Sequence, residues 1–157
     1  MRVALLGTGS ADGWPNAFCG CHSCEAERRS GRSRQPSAAL VDDVVLVDCG
    51  PTAPHAIGRV GGTLQAVEHV LLTHGHPDHL DPAFLLSRGW VAAAGPLQVW
   101  GPPGALALCR DWVGPDTQVR FHEVRPGDDL VLATAIGAYA VHVLAAAHEP
   151  GNRDALA

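Results

Sequence analysis

The sequence predicts an α/β domain with mixed β-sheets, and three observations carry that prediction. Short apolar runs bounded by turn residues alternate with segments of helical pattern. One run, Val70-Leu71-Leu72, feeds straight into Thr73-His74-Gly75-His76-Pro77-Asp78-His79-Leu80, a strand-end loop crowded with imidazole and carboxylate. Hydrophobic residues make up 46% of the 157, which is enough for a core, and the length suits one domain spanning residues 1–157.

The elements follow in order. Arg2 to Leu6 is a short strand, and Gly7-Thr8-Gly9-Ser10 is a turn where backbone can approach another group closely. No helical pattern follows these glycines, so no dinucleotide-binding loop is read there. Trp14 to Pro36 (residues 14–36) is an irregular, cysteine-rich insertion. Ala38 to Val41 and Val44 to Asp48 form a hairpin that turns at Asp42-Asp43. Thr52 to Val60 is a helix with Thr52 as N-cap, Pro54 in its first turn and His55 at its surface. Glu68 to Thr73 is the strand that enters the histidine loop, with His69 in no evident role. Asp81 caps a helix whose first position is Pro82. Leu97 to Trp100 is a strand, Gly101-Pro102-Pro103-Gly104 a turn, Ala105 to Trp112 a helix and Val119 to Val124 a strand. Asp129 to Thr134 and Ala138 to Leu144 make an antiparallel pair, turning near Ile136-Gly137.

Two clusters carry chemistry. Side chains two apart on a loop, such as His74 and His76, can converge on one d-block cation, and the next pair, Asp78 and His79, can reach a second. The competing reading is a solvated polar loop. Cys19, Cys21 and Cys24 place three thiols within six positions. In a reducing compartment such a cluster is a metal site before it is a disulfide, and three thiolates supply most of a closed tetrahedral zinc site. His22 is sterically awkward as the fourth ligand, because ligands flank it, so a histidine from elsewhere is expected there. Three free thiols are the alternative. Cys49 and Cys109 read as small core residues. Arg28, Arg29, Arg32 and Arg34 are either a steering patch for a phosphorylated substrate or a solvated loop. Asp48 reads equally as a turn or helix-cap residue. His142 and His148 share a face if their strand runs on, with His142 a satisfied strand histidine.

The His-x-His-x-Asp-His motif resembles that of the metallo-β-lactamase-fold hydrolases. The resemblance implies an αββα sandwich of mixed sheets. It implies one ion held by His74, His76 and the strand-end His148, a second held by Asp78 and His79, and Asp48 behind a metal-binding histidine, fixing its tautomer. The Cys-x-Cys-x-x-Cys cluster is similar to that of the branch containing the phosphoribosyl cyclic phosphate phosphodiesterase, and the quinone-cofactor biosynthesis protein carries a similar one. The implied activity is hydrolysis of a small cyclic or ribose-linked phosphodiester by a metal-bound hydroxide, with Asp78 orienting the nucleophile. Two zinc ions in the active site and one structural zinc are implied, with manganese an alternative in the active site. The tRNA 3′-processing endonuclease, the quinone-pathway protein and a catalytically incomplete zinc-binding fragment are the alternatives.

Composition narrows the partners. A net charge of −5 argues against a protein-wide attraction to nucleic acid or anionic membrane. No stretch approaches the ~20 apolar residues of a membrane span. The apolar run at Met1 to Gly7 is too short for a signal peptide, so a cytoplasmic location is expected. Residues 1–157 fill only the N-terminal part of the implied sandwich, since no histidine follows His148 and Asp154 stands too near it to bridge two ions. The reading is therefore a C-terminally incomplete domain in which Glu149 to Ala157 is an interrupted loop. An apolar sheet face is expected to be left open, to be covered by further chain or by a homo-oligomer partner.

Overall fold

A computed structural model describes residues 1–91, 95–148 and 155–156. Six strands form the larger sheet, in the order in which they occur: β1 (Val3–Gly7), β2 (Ala38–Val41), β3 (Val45–Val47), β4 (His69–Leu71), β5 (Leu97–Gly101) and β6 (Val119–Glu123). The first three run antiparallel, and β3 to β6 run parallel. The antiparallel step needs only a tight turn. Asp42 and Asp43 supply it with positive φ of 45° and 63°, a backbone state that aspartate tolerates. The Asp42 carboxylate then accepts from the Arg2 backbone N–H and, at 2.8 Å, from the Tyr139 hydroxyl. The parallel steps need crossovers. These are α2 (Ala53–Ala56) continued by a 3-10 turn (Ile57–Val60), α3 (Ala83–Gly89) and α4 (Pro103–Arg110). A further helix, α1 (His22–Ser30), lies between β1 and β2.

Strand alternation sends the two faces of this sheet to different partners. Ala4, Leu40, Leu46, Val70, Val99 and Phe121 lie in one register row and pack with residues of the crossover helices, among them Ala53, Leu85 and Leu106. On the opposite face Val41, Val45, Leu71 and Trp100 meet Leu130, Leu132, Tyr139 and Val141. Those four come from the second sheet, the hairpin of β7 (Asp129–Thr134) and β8 (Gly137–His142). Central parallel strands covered on both faces explain the unbroken apolar runs at Val44 to Val47 and Val70 to Leu72. The hairpin covers only the centre of its face. Val3 and Leu5 on β1 remain 49% and 62% exposed, an open apolar edge of the kind expected.

Several expectations are corrected. Residues 14–36 are not irregular throughout, because α1 occupies their middle. Thr52 stands at the N-cap of α2 but makes no side-chain capping bond, and only residues 53–56 are α-helical before the tighter turn. The helix placed at Ala105 to Trp112 starts two residues earlier and stops at Arg110. β8 ends at His142, so His148 is not on a continuation of that strand. α3 starts one residue later than expected, with Pro82 rather than Asp81 as its N-cap, although Asp81 Oδ1 still accepts from Ala83 N–H at 3.0 Å. His69 does have a role. Trp100 Nε1–H donates to its Nδ1 at 3.0 Å, which leaves Nε2–H to donate to Ala133 O at 2.9 Å, so this buried ring ties one sheet to the other. Of the segment expected to be an interrupted loop, only Ala155 and Leu156 are described. Both are buried, and Leu156 bridges Ala145; Asp154 and the other residues between His148 and Ala155 lie outside the described residues.

An isolated two-stranded hairpin is marginal in water, so its hold on the larger sheet rests on buried side chains. Leu132 is fully buried in that contact. Leu132→Ala is expected to lower stability by about 2–5 kcal/mol. A urea midpoint unchanged from the parent would show that the hairpin does not pack this way.

Candidate metal centre

The histidine loop sits at the C-terminal ends of β3 and β4, where open α/β sheets place their ligands. Its path is set by backbone pairing with residues 48–50. Cys49 N–H donates to His79 O at 2.9 Å, and Asp81 N–H returns to Cys49 O at 2.9 Å. Gly50 is needed in that pairing, since a Cβ there would lie 1.9 Å from the Asp78 carbonyl oxygen. Within the loop, His79 and Leu80 N–H both reach His76 O, at 3.0 and 2.9 Å, closing a turn that presents His74, His76, Asp78 and His79 together.

Asp48 organises these rings from behind. It is buried, holds a positive φ of 58°, and accepts from Thr73 N–H at 2.8 Å. Its Oδ2 accepts from His79 Nδ1 at 2.6 Å and lies 2.9 Å from the Thr73 hydroxyl. A carboxylate can only accept, so the Thr73 hydroxyl donates to it, and the hydroxyl oxygen is left to accept from His74 Nδ1–H at 2.9 Å. One aspartate thus sets the tautomer of two histidines, each with its Nε2 lone pair turned away from it. The turn or helix-cap reading of Asp48 does not hold. The part played by Thr73 has no signature in the sequence, because it depends on a carboxylate 25 residues away.

His148 arrives from the far end of the chain. Ala146 N–H donates to Ala155 O at 3.1 Å, and Leu156 N–H to Thr73 O at 3.0 Å, which stitches that segment beside the loop. His148 Nε2 then lies 3.2 Å from His76 Nδ1. One nitrogen from each of His74, His76 and His148 falls within 4.8 Å of the others. The His74 ring centroid is 4.6 Å from that of His76, 4.5 Å from that of His148 and 4.3 Å from that of His79. His79 Nε2 is 3.3 Å from Asp78 Oδ2.

The electrostatics match the geometry. Burial first, and then the neighbouring imidazoles, hold the pKa of His74 below the usual histidine value, so it stays neutral. The Asp48 hydrogen bond raises the pKa of His79 against the effect of its burial. His74 Nε2 is buried with no hydrogen-bond partner. A neutral ring with an orphaned buried lone pair, facing two more imidazoles, fits a zinc ion, around which tetrahedral nitrogen ligands stand about 3.3 Å apart.

The structure also gathers Cys19, Cys21 and Cys24, whose sulfurs lie within 4.8 Å of one another. Cys21 is the N-cap of α1. A backbone hydrogen bond at Cys24, with support from the Cys19 and Cys24 side chains, lowers its thiol pKa to about 7. At Cys24 a backbone hydrogen bond at Asn16 pulls the pKa down, but burial with Cys19 and Cys21 carries it above the ordinary value. The set fits zinc, with no fourth donor joining it among the described residues. Two of the nearby arginines are engaged as ion pairs, Arg28 with Glu25 and Arg32 with the buried Glu27 at 2.7 Å, while Arg34 stacks over Trp14. Arg28 also donates to Cys19 O, tying the cysteine loop to its helix. Cys49 and Cys109 are fully buried, as expected of core residues. His142 bonds its cross-strand neighbour Asp129 at 2.7 Å, away from the cluster.

Similarity to known proteins agrees with this architecture. The chain is 30% identical over 165 residues to a ribonuclease Z of Methanothermobacter thermautotrophicus, covering 98% of this chain and 49% of that protein. It is 33% identical over 138 residues to a ribonuclease Z of Haloferax volcanii, covering 82% of this chain and 38% of that protein. Among solved structures, zinc-bound PqqB from Methylobacterium extorquens superposes with a TM-score of 0.69 at 23% identity, over 92% of this chain and 52% of that one. A diphosphatase of the PhnP family superposes with a TM-score of 0.65 at 21% identity, over 83% of this chain and 53% of that one. The chain spans about half or less of the length of the curated relatives it matches. Residues 44–156 match the family described as the beta-lactamase superfamily domain, and with the two-sheet fold this establishes that the chain belongs to it, with a metallo-β-lactamase fold.

Proposed function

We propose that this chain carries the metal-binding part of a metal-dependent hydrolase whose substrate is a small cyclic or ribose-linked phosphodiester. The convergence of His74, His76 and His148 supports this above all else. These three would hold one zinc, Asp78 and His79 would contribute to a second, with manganese an alternative there, and the cysteines would hold a structural ion. Zinc bound at such a site polarises a phosphoryl oxygen and lowers the pKa of a water to about 7. The chain's own residues supply orientation. Thr73 keeps the Nε2 lone pair of His74 directed into the cluster, and Asp48 does the same for His79. Asp78, beside His79, would orient an attacking water by accepting a hydrogen bond from it. The Cys19–Cys21–Cys24 group and the net charge of −5 favour a small substrate over RNA. No helix among the described residues is long and apolar enough to cross a membrane, and a cytoplasmic setting suits free thiols. A second copy of the chain is the proposed cover for the exposed Val3 and Leu5 edge.

A second reading, a tRNA 3′-processing endonuclease, draws on the similarity to ribonuclease Z along nearly the whole chain. Hydrolysis of bis(p-nitrophenyl) phosphate by the zinc-loaded chain, against cleavage of a tRNA precursor at varied salt, separates the two. His148→Ala is expected to remove zinc from the histidine cluster and lower diester turnover by about 10³-fold, a loss of several kcal/mol of transition-state stabilisation. Zinc content and turnover equal to those of the parent would overturn the proposal.

A further inference from the structure

A cavity lies on the helix-covered face of the large sheet. It opens between that face and the helices with a volume of about 410 Å³, a size typical of small-molecule sites. Its floor is Leu46, Val70 and Leu97, and Leu64 and Phe84 stand on its walls. None of the clustered histidines or cysteines lines it. Arg88, on α3, is the only charged side chain among the described residues that line it.

Arg88 is half-buried and carries its charge without a carboxylate beside it. It donates to Gly95 O, and no carboxylate pairs with it among the described residues. Burial alone pulls its pKa down, with no anion to offset that. A guanidinium stays charged in proteins, so among the described residues only the Gly95 carbonyl offsets its desolvation. An apolar cavity beside an unneutralised cation is complementary to a molecule with an apolar body and one anionic end. The planar fork of the guanidinium matches a carboxylate.

We propose that this cavity binds a small amphiphilic carboxylate, its apolar body against Leu46, Val70 and Phe84 and its carboxylate on Arg88. The site needs no metal and is independent of the reading of the histidine cluster.

The test is calorimetric titration of the chain with 4-phenylbutyrate, 4-phenylbutanol and 4-phenylbutylamine. The acid should bind about 10- to 100-fold more tightly than the alcohol, as expected of a hydrogen bond to a charged group, and the amine should not bind. Arg88→Gln should abolish the preference for acid over alcohol. Leu64→Trp, which fills the cavity and leaves Arg88 in place, should abolish binding of both. Equal binding of acid and amine by the parent chain, absence of binding by all three, or a preference retained in Arg88→Gln would each overturn the proposal. The order of affinities in the parent decides the matter even if a variant fails to fold. Diester turnover and zinc content should be unchanged in Arg88→Gln, so this outcome is separable from that of the metal centre.

Discussion

Asp48→Asn is expected to weaken metal binding at the Asp78–His79 position by about 10- to 100-fold, the usual cost of losing a group that orients a metal ligand. The asparagine fits the site and tolerates the positive φ of 58°, so the backbone need not move. What changes is the proton arrangement. The asparagine oxygen can still accept from Thr73, but its NH₂ faces His79 Nδ1 and can only donate. His79 must then accept through Nδ1, which drives its proton to Nε2, the atom turned toward Asp78 and the site. Chelator competition measures the effect, with the cysteine zinc as an internal reference that should not move. An affinity at that position equal to that of the parent would mean that Asp48 does not set the His79 tautomer.

Gly50→Ala is the second large effect. The added Cβ would stand 1.9 Å from the Asp78 carbonyl oxygen, where no side-chain rotation can relieve the contact. The two backbone segments must part, breaking the Cys49–His79 and Asp81–Cys49 hydrogen bonds. A loss of about 3 kcal/mol, the upper end for one inserted methyl group, is expected in denaturant unfolding. Because the same contact holds the histidine loop in place, zinc at the histidines should fall with stability while the cysteine site persists. An alanine variant of parental stability would show that the loop does not rest on this segment.

Some of this was readable from local pattern. Val70 to Leu72 and Val44 to Val47 are apolar throughout because parallel strands are covered on both faces, so strands were recognisable there without knowledge of their neighbours. Helix α1 escaped detection because His22 to Ser30 is polar and charged, with only Cys24 and Glu27 buried, so no apolar stripe announces it. The inter-sheet role of His69 was hidden for a different reason. Its partners, Trp100 and Ala133, are 31 and 64 residues away, and each comes from a different sheet.

The chemistry on offer is written in the chain order alone: clustered imidazoles after an apolar strand, three thiols within six positions, and a composition able to bury a core. Those features are local, and spacing along a chain is enough to specify them. Which donors meet is set by contacts between segments far apart in the chain. His148 joins His76 across 72 residues because the segment at Ala155 and Leu156 pairs beside Thr73, and Asp48 reaches His79 because parallel β3 and β4 end side by side. Such meetings follow from strand register and hydrogen bonding between distant segments, which no local spacing encodes.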